Sequence, residues 1–329
     1  MDVFLELFIF TFIILKCKGI DPDSWDDAWS YDDTKAQQYW GAFYDDWATC
    51  GDGKVQSPVN LATRKLLYDP NLPNILLHHS GADQEPYHIK GNYTNTGKAP
   101  VFRPFFNESA GEEPFRISNG PLHYKYRLHE IRIHFGRTPE EGSEHLIDGQ
   151  SFQGELHMTF WNDQLYSNFE KAQKSPKGLA IMSIFLQMIL NETSHPELTK
   201  LTHSSVLQHI IYKGSSVQIS NLKILELFPD TFEYVTYEGS MTIPPCYETV
   251  TWIILNRPIH ISQFQLDNLR ELLRNKVDDK AQRTIARNLR PIFPKGSRAI
   301  RTNIAHVYGL DEKCYQNRVE HTYRATIMT

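Results

Sequence analysis

Two short segments alternate polar and apolar residues with a period of two, which commits the chain to a sheet with chemistry on one face. In His129-Glu-Ile-Arg-Ile-His-Phe-Gly136 the alternation sends Glu130, Arg132 and His134 to one side and Ile131, Ile133 and Phe135 to the other. In Gly154-Glu-Leu-His-Met-Thr-Phe-Trp161 it groups Glu155, His157 and Thr159. Two facing imidazoles are therefore available, not three, and a guanidinium accompanies them. Strands are expected at 124–135, 154–161, 179–189, 233–237 and 249–259. The run Leu179-Ala-Ile-Met-Ser-Ile-Phe-Leu186 suits a strand buried on both faces, although its period fits a buried helix as well. Ser262, with Gln265 three residues on, makes a capping box ahead of Leu266, Leu269, Leu272 and Leu273, and predicts the clearest helix. No internal repeat, low-complexity tract or glycine-rich phosphate loop is present.

These segments, with Gly142-Ser-Glu-His145 between them and Gly239-Ser-Met-Thr-Ile-Pro-Pro-Cys246 later, resemble the alpha carbonic anhydrase family in order and spacing. The resemblance runs from about Trp40, through Cys50 and Gln56-Ser-Pro-Val-Asn60, to Arg290-Pro291 and Ile300. It implies a mainly β (α+β) single domain on a large twisted, mostly antiparallel sheet of about ten strands with peripheral helices. In that family an HxHWG strand supplies two zinc ligands, an ELH strand supplies the third, and a Thr–Glu pair orients the zinc-bound hydroxide. Carried over residue by residue, the ligand positions are Arg132, His134 and His157, and the orienting pair is Thr242 and Glu144. Lys98 takes the place of a proton-shuttling histidine. Ile181, Met241 and Ile243 fall on pocket-lining positions, where Ile243 would crowd the substrate. An arginine at the first ligand position is similar to the secreted carbonic anhydrase-related proteins of the X and XI branch, which lack hydratase activity. That branch also replaces the third histidine, whereas this chain keeps His157.

Arginine has no lone pair to give a metal and stays protonated. A hydratase-type zinc needs three protein donors and an open position. Arg132 is therefore expected to pair with Glu130 or another pocket carboxylate. No cofactor is expected, with weak zinc at His134 and His157 as the upper bound. Plainer accounts stand beside these roles: Glu144 and Thr242 as a surviving buried pair, Glu155 as a buried partner of His157, Lys98 as a solvated loop residue, and Ile181, Met241 and Ile243 as ordinary core.

A chain of 329 residues, 40% of them hydrophobic, can bury one large core. A net charge of −5 without a basic stripe argues against nucleic acid. Residues 1–19 carry an apolar run, Leu7 to Leu15, and a Cys17–Gly19 cleavage pattern, which reads as a signal peptide despite Asp2 and Glu6. An acidic, extended lead-in (20–33), the domain (34–302) and a polar tail (303–329) follow, and the tail offers no membrane anchor. Cleavage leaves Cys50, Cys246 and Cys314. The first two match the disulfide of extracellular carbonic anhydrases, and Cys314 is left for a partner disulfide or a small-thiol cap. Asn92, Asn107 and Asn191 open glycosylation sequons. The whole implies a secreted glycoprotein, catalytically silent, that binds a cell-surface partner. For the X and XI branch the implied setting is neuronal, with neurexin-type receptors. The alternatives are a zinc-dependent CO2 hydratase with Glu130 as substitute ligand, and a small-anion site on Arg132 without turnover.

Overall fold

Along Tyr126–Phe135 the apolar positions change phase. Tyr126 and Leu128 are even-numbered and Ile131, Ile133 and Phe135 odd, yet all face one core. A strict period of two cannot satisfy both halves, so the strand slips register between Leu128 and Glu130, with His129 as the bulged residue. Beyond the bulge, Glu130, Arg132 and His134 share the opposite face. The computed structural model describes residues 28–32, 36–79, 87–189 and 195–305.

The bulged strand belongs to a thirteen-stranded sheet. Its main path runs Ser216–Leu222, Ile89–Asn95, Pro100–Phe105, Tyr126–Phe135, Gly154–Trp161, Leu179–Met188, Val250–Leu255, Tyr234–Gly239, Arg301–Thr302 and Leu67–Tyr68. Most neighbours are antiparallel; Leu179–Met188 pairs in parallel with Val250–Leu255 and with Ile259–Ile261. The fold class expected from the sequence is thus the one found. The expected strand 249–259 is two strands, because Pro258 supplies no N–H and the chain breaks its ladder there before rejoining the neighbour at Ile259.

The central Leu179–Met188 strand is buried on both faces. Ala180, Met182, Ile184 and Leu186 enter one core together with Leu198, Leu201, Leu266 and Leu269 from the helices. Leu179, Ile181 and Phe185 enter a second core with Val235, Trp252 and Met241. Each fully buried side chain of this size stabilises the fold by about 1.5–3 kcal/mol. The helix Gln263–Arg270 begins at the predicted capping box, Ser262 accepting from the Gln265 amide while the Gln265 side chain accepts from the Ser262 amide.

A third cluster joins Trp29, Tyr31, Trp40, Trp47 and the Cys50–Cys246 disulfide. That disulfide is the pair implied by the resemblance, and it closes a sequence separation of 196. The described end of the acidic segment is therefore packed on the domain, with Trp29 and Tyr31 both buried. Asn92 is exposed on the Ile89–Asn95 strand, and Asn107 is exposed with its Oδ1 accepting from the Ala110 amide. The proposed signal peptide, Cys17, Asn191, Cys314 and the tail beyond 305 lie outside the described residues. No helix among the described residues is long and apolar enough to cross a membrane.

Candidate functional site

Strand register assembles the site. Arg132 lies opposite His157, His134 opposite Glu155, and Glu130 opposite Thr159. The His134 and His157 rings come within 4.4 Å, centroid to centroid. His134 Nδ1 donates to the Asn288 carbonyl at 2.7 Å, which fixes the tautomer and leaves a lone pair on Nε2. That Nε2 is buried without a hydrogen-bond partner. His157 Nε2 donates to Glu155 Oε1 at 2.8 Å, so its lone pair sits on Nδ1, 3.8 Å from Glu144 Oε2. Burial holds both imidazoles below their ordinary pKa, His134 well below, and both are neutral at pH 7.

Glu155 is the hub behind them. Its carboxylate accepts from the His145 amide (2.8 Å), His145 Nδ1 (2.7 Å), Ser183 Oγ (2.6 Å) and His157 Nε2. Burial alone would raise its pKa, but His145 and His157 together outweigh it and hold the carboxyl well below the ordinary range. His145 continues the chain of contacts, with Nε2 2.7 Å from the Tyr237 hydroxyl, which donates to Ser57 Oγ.

Arg132 turns to its own strand. Its Nε and Nη2 donate to Glu130 Oε1 at 3.2 and 2.9 Å, and Glu130 Oε2 accepts from Arg103 Nε and Nη2 at 3.1 and 3.0 Å. The expected partner of the guanidinium is the one found. Burial works against the Glu130 charge, but the two arginines prevail and its pKa is strongly depressed.

Glu144 is fully buried beside the histidines. Its Oε1 accepts from the Arg290 amide at 2.8 Å and the Thr242 hydroxyl faces the carboxyl, while Oε2 has no hydrogen-bond partner. Burial exceeds what both contacts contribute and lifts its pKa to about 8, so the group is mostly protonated at neutral pH. Ile181, Met241 and Ile243 gather in the core on this side of the sheet.

The family model of the eukaryotic-type carbonic anhydrases matches residues 35–304. The chain belongs to that family. A Caenorhabditis elegans protein described as carbonic anhydrase-like is 37% identical over 274 residues, which cover 81% of this chain and 76% of the relative.

Around the carbonic anhydrase site, one expectation needs correction. Lys98 is not a solvated loop residue: it is 6% exposed, with its ammonium 4.8 Å from the centre of the Trp29 ring. The Thr96–Ala99 turn is held tightly by the Thr96 hydroxyl and amide, and Trp29 closes over it, so the stem is covered and the charge rests on a π face. Trp29 and Tyr31 are among the residues that sequence reasoning missed. Tyr31 is buried, and burial raises its hydroxyl pKa, with Glu144, Arg132 and Arg290 close enough to act on it. The available signal was two aromatics at i and i+2 in an otherwise acidic stretch. Arg290, another residue not singled out, is buried and donates to the carbonyls of Ser57 and Cys50 at 2.9 and 3.3 Å, tying the Glu144 side of the site to the disulfide.

Proposed function

We propose that this chain is a catalytically silent carbonic anhydrase-like protein, secreted, and acting as a binding module for a cell-surface partner of the neurexin type. One observation supports the catalytic part: Arg132, which the resemblance assigns to the first ligand position, is buried, permanently charged and paired with Glu130. Of the donors a tetrahedral zinc would need, two imidazole lone pairs remain, and the Arg132 charge bears on both rings. Glu130 does not replace the third donor, since both of its oxygens already serve guanidinium groups. The residues present therefore do not fit a hydratase-type zinc. The partner class rests on the resemblance to the secreted related proteins.

The competing hydratase has one observation in its favour. His134, Glu144 and His157 offer ligand atoms that lie within 4.8 Å of one another, and His134 Nε2 and Glu144 Oε2 are without partners. Protonation of Glu144 near neutral pH weighs against it. Metal analysis of protein purified without chelators separates the two. The silent reading expects substoichiometric zinc in the wild type and regained zinc in Arg132→His, which rebuilds three donors. Stoichiometric zinc in the wild type, with sulfonamide-inhibitable CO2 hydration, would overturn it. Capture of a neurexin ectodomain by the wild-type protein tests the partner, and a null result removes that receptor class.

A further inference from the structure

A cleft of about 830 Å3 that involves none of the ligand positions opens beside the sequon Asn107-Glu-Ser109, with Glu108, Gly111, Glu112 and Glu113 in its wall. The turn that carries Asn107 is fixed. Its amide donates to Glu112 Oε2 at 2.8 Å, its carbonyl accepts from the Ala110 and Glu112 amides at 3.0 and 3.1 Å, and its Oδ1 accepts from the Ala110 amide at 3.2 Å. Asn107 is exposed, and its side-chain nitrogen, the atom that takes a glycan, has no hydrogen-bond partner among the described residues. The charges of the wall are balanced. Glu108 pairs with Arg127, Glu112 with Lys90 and Asp163 with Arg116, at 2.6, 2.6 and 2.8 Å, which leaves Glu113 and Lys125, opposite in sign. A polyion gains little from such a surface. Among the described lining residues only Leu77 and Pro114 carry apolar side chains, too few to seat a hydrophobic peptide. What remains suits a neutral, polyhydroxylated ligand.

We propose that the first sugars of an N-linked glycan on Asn107 seat in this cleft, so that the glycan forms part of the folded surface. The inference rests on the reading of the chain as a secreted glycoprotein and is independent of the histidine site. Transfer joins Asn107 Nδ2 to C1 of an oligosaccharide carried on a lipid diphosphate; the diphosphate leaves, and Nδ2 gives up one proton. The Oδ1 contact survives, because only the nitrogen is substituted. Room is sufficient, since small-molecule sites span about 300–1,000 Å3. Two lining groups are held by one atom and keep another for the sugar. Gln164 Oε1 accepts from the Lys125 amide at 2.8 Å, which leaves its nitrogen to donate to a hydroxyl or acetamide oxygen. His78 Nε2 lies 2.6 Å from Ser118 Oγ, which leaves Nδ1. Glu113 offers acceptors for sugar hydroxyls. The His79 ring packs on Tyr87 at 4.9 Å, and Tyr87 stacks on Phe115, so this part of the wall is a supported surface for the C–H face of a sugar. A tether raises the effective concentration to the order of millimolar, so weak contacts suffice.

Glycan release by peptide N-glycosidase from the native secreted protein, followed by mass mapping of each sequon, tests it. Release from Asn107 should be about tenfold slower or more than from the tryptic glycopeptide, because the enzyme acts only on the undocked fraction. Glu113→Gln/Gln164→Glu keeps the net charge and the acceptor for the Lys125 amide while exchanging the character of two lining groups. It should speed native release from Asn107 by about threefold or more and leave release from Asn92 unchanged. Ser109→Ala removes the sequon but keeps the Asn107 cap, and should quicken amide exchange across Glu108–Glu113. An Asn107 that carries no glycan would overturn the sequon reading at this position, and the docking with it. A glycan that is present, yet released as fast as from the peptide or at a rate the cleft variant does not alter, would overturn the docking alone.

Discussion

Removing the counter-charge of Arg132 should be among the most damaging single changes on the site face of the sheet. The Arg132 and Glu130 side chains are 9% and 8% exposed, so solvent screens their pairing poorly. At their 2.9 Å contact a Coulomb attraction of about 6 kcal/mol is available even at an effective dielectric near 20. Desolvation offsets much of this, but stranding one member of a buried pair costs about 3–5 kcal/mol. Glu130→Gln strands Arg132 and should cost that amount. Arg103→Gln removes the other cation on Glu130, yet Arg103 is 54% exposed and the loss should stay within about 1 kcal/mol. Arg132→Met in the Glu130→Gln background removes the stranded charge, so the double variant should recover at least about 2 kcal/mol relative to additivity. Urea unfolding at pH 7 gives all of these from midpoints at constant m. A Glu130→Gln loss no larger than that of Arg103→Gln, or an additive cycle, would refute the buried-pair account.

The pH dependence of the same variant carries a sign. Glu130 has a depressed pKa in the folded protein, so its contribution is complete above the ordinary carboxyl value of about 4.3 and is lost as pH falls below it. The stability gap between wild type and Glu130→Gln should therefore be flat from pH 8 to about 5 and narrow below. Replacing both Cys50 and Cys246 by Ala should cost about 5 kcal/mol in the loop-entropy account, given the separation of 196, and thermal unfolding of oxidised wild type against the double variant measures it.

Much of the site was legible because alternation along a strand is local. Glu130, Arg132 and His134 were placed on one face by counting, and the register with Gly154–Trp161 put His157 beside them. The bulge at His129 does not disturb this, since it precedes Glu130; the apolar phase change from Leu128 to Ile131 records it in the sequence all the same. The capping box at Ser262 was equally local. What counting could not give were contacts between distant segments. Lys98 looks solvated until Trp29, far away in sequence, is laid on it. Asn288 and Arg290 act through backbone groups, which no side-chain pattern announces: the Asn288 carbonyl sets the His134 tautomer, and the Arg290 amide holds Glu144.

The indole seated over Lys98 also has a practical side. Amine-directed acylating reagents need an approachable nitrogen, and one sheltered against a π face is not approachable. Lys98 should thus stay unlabelled in the native protein while exposed lysines react, and its labelling in a digest would report that the Trp29 segment had lifted away.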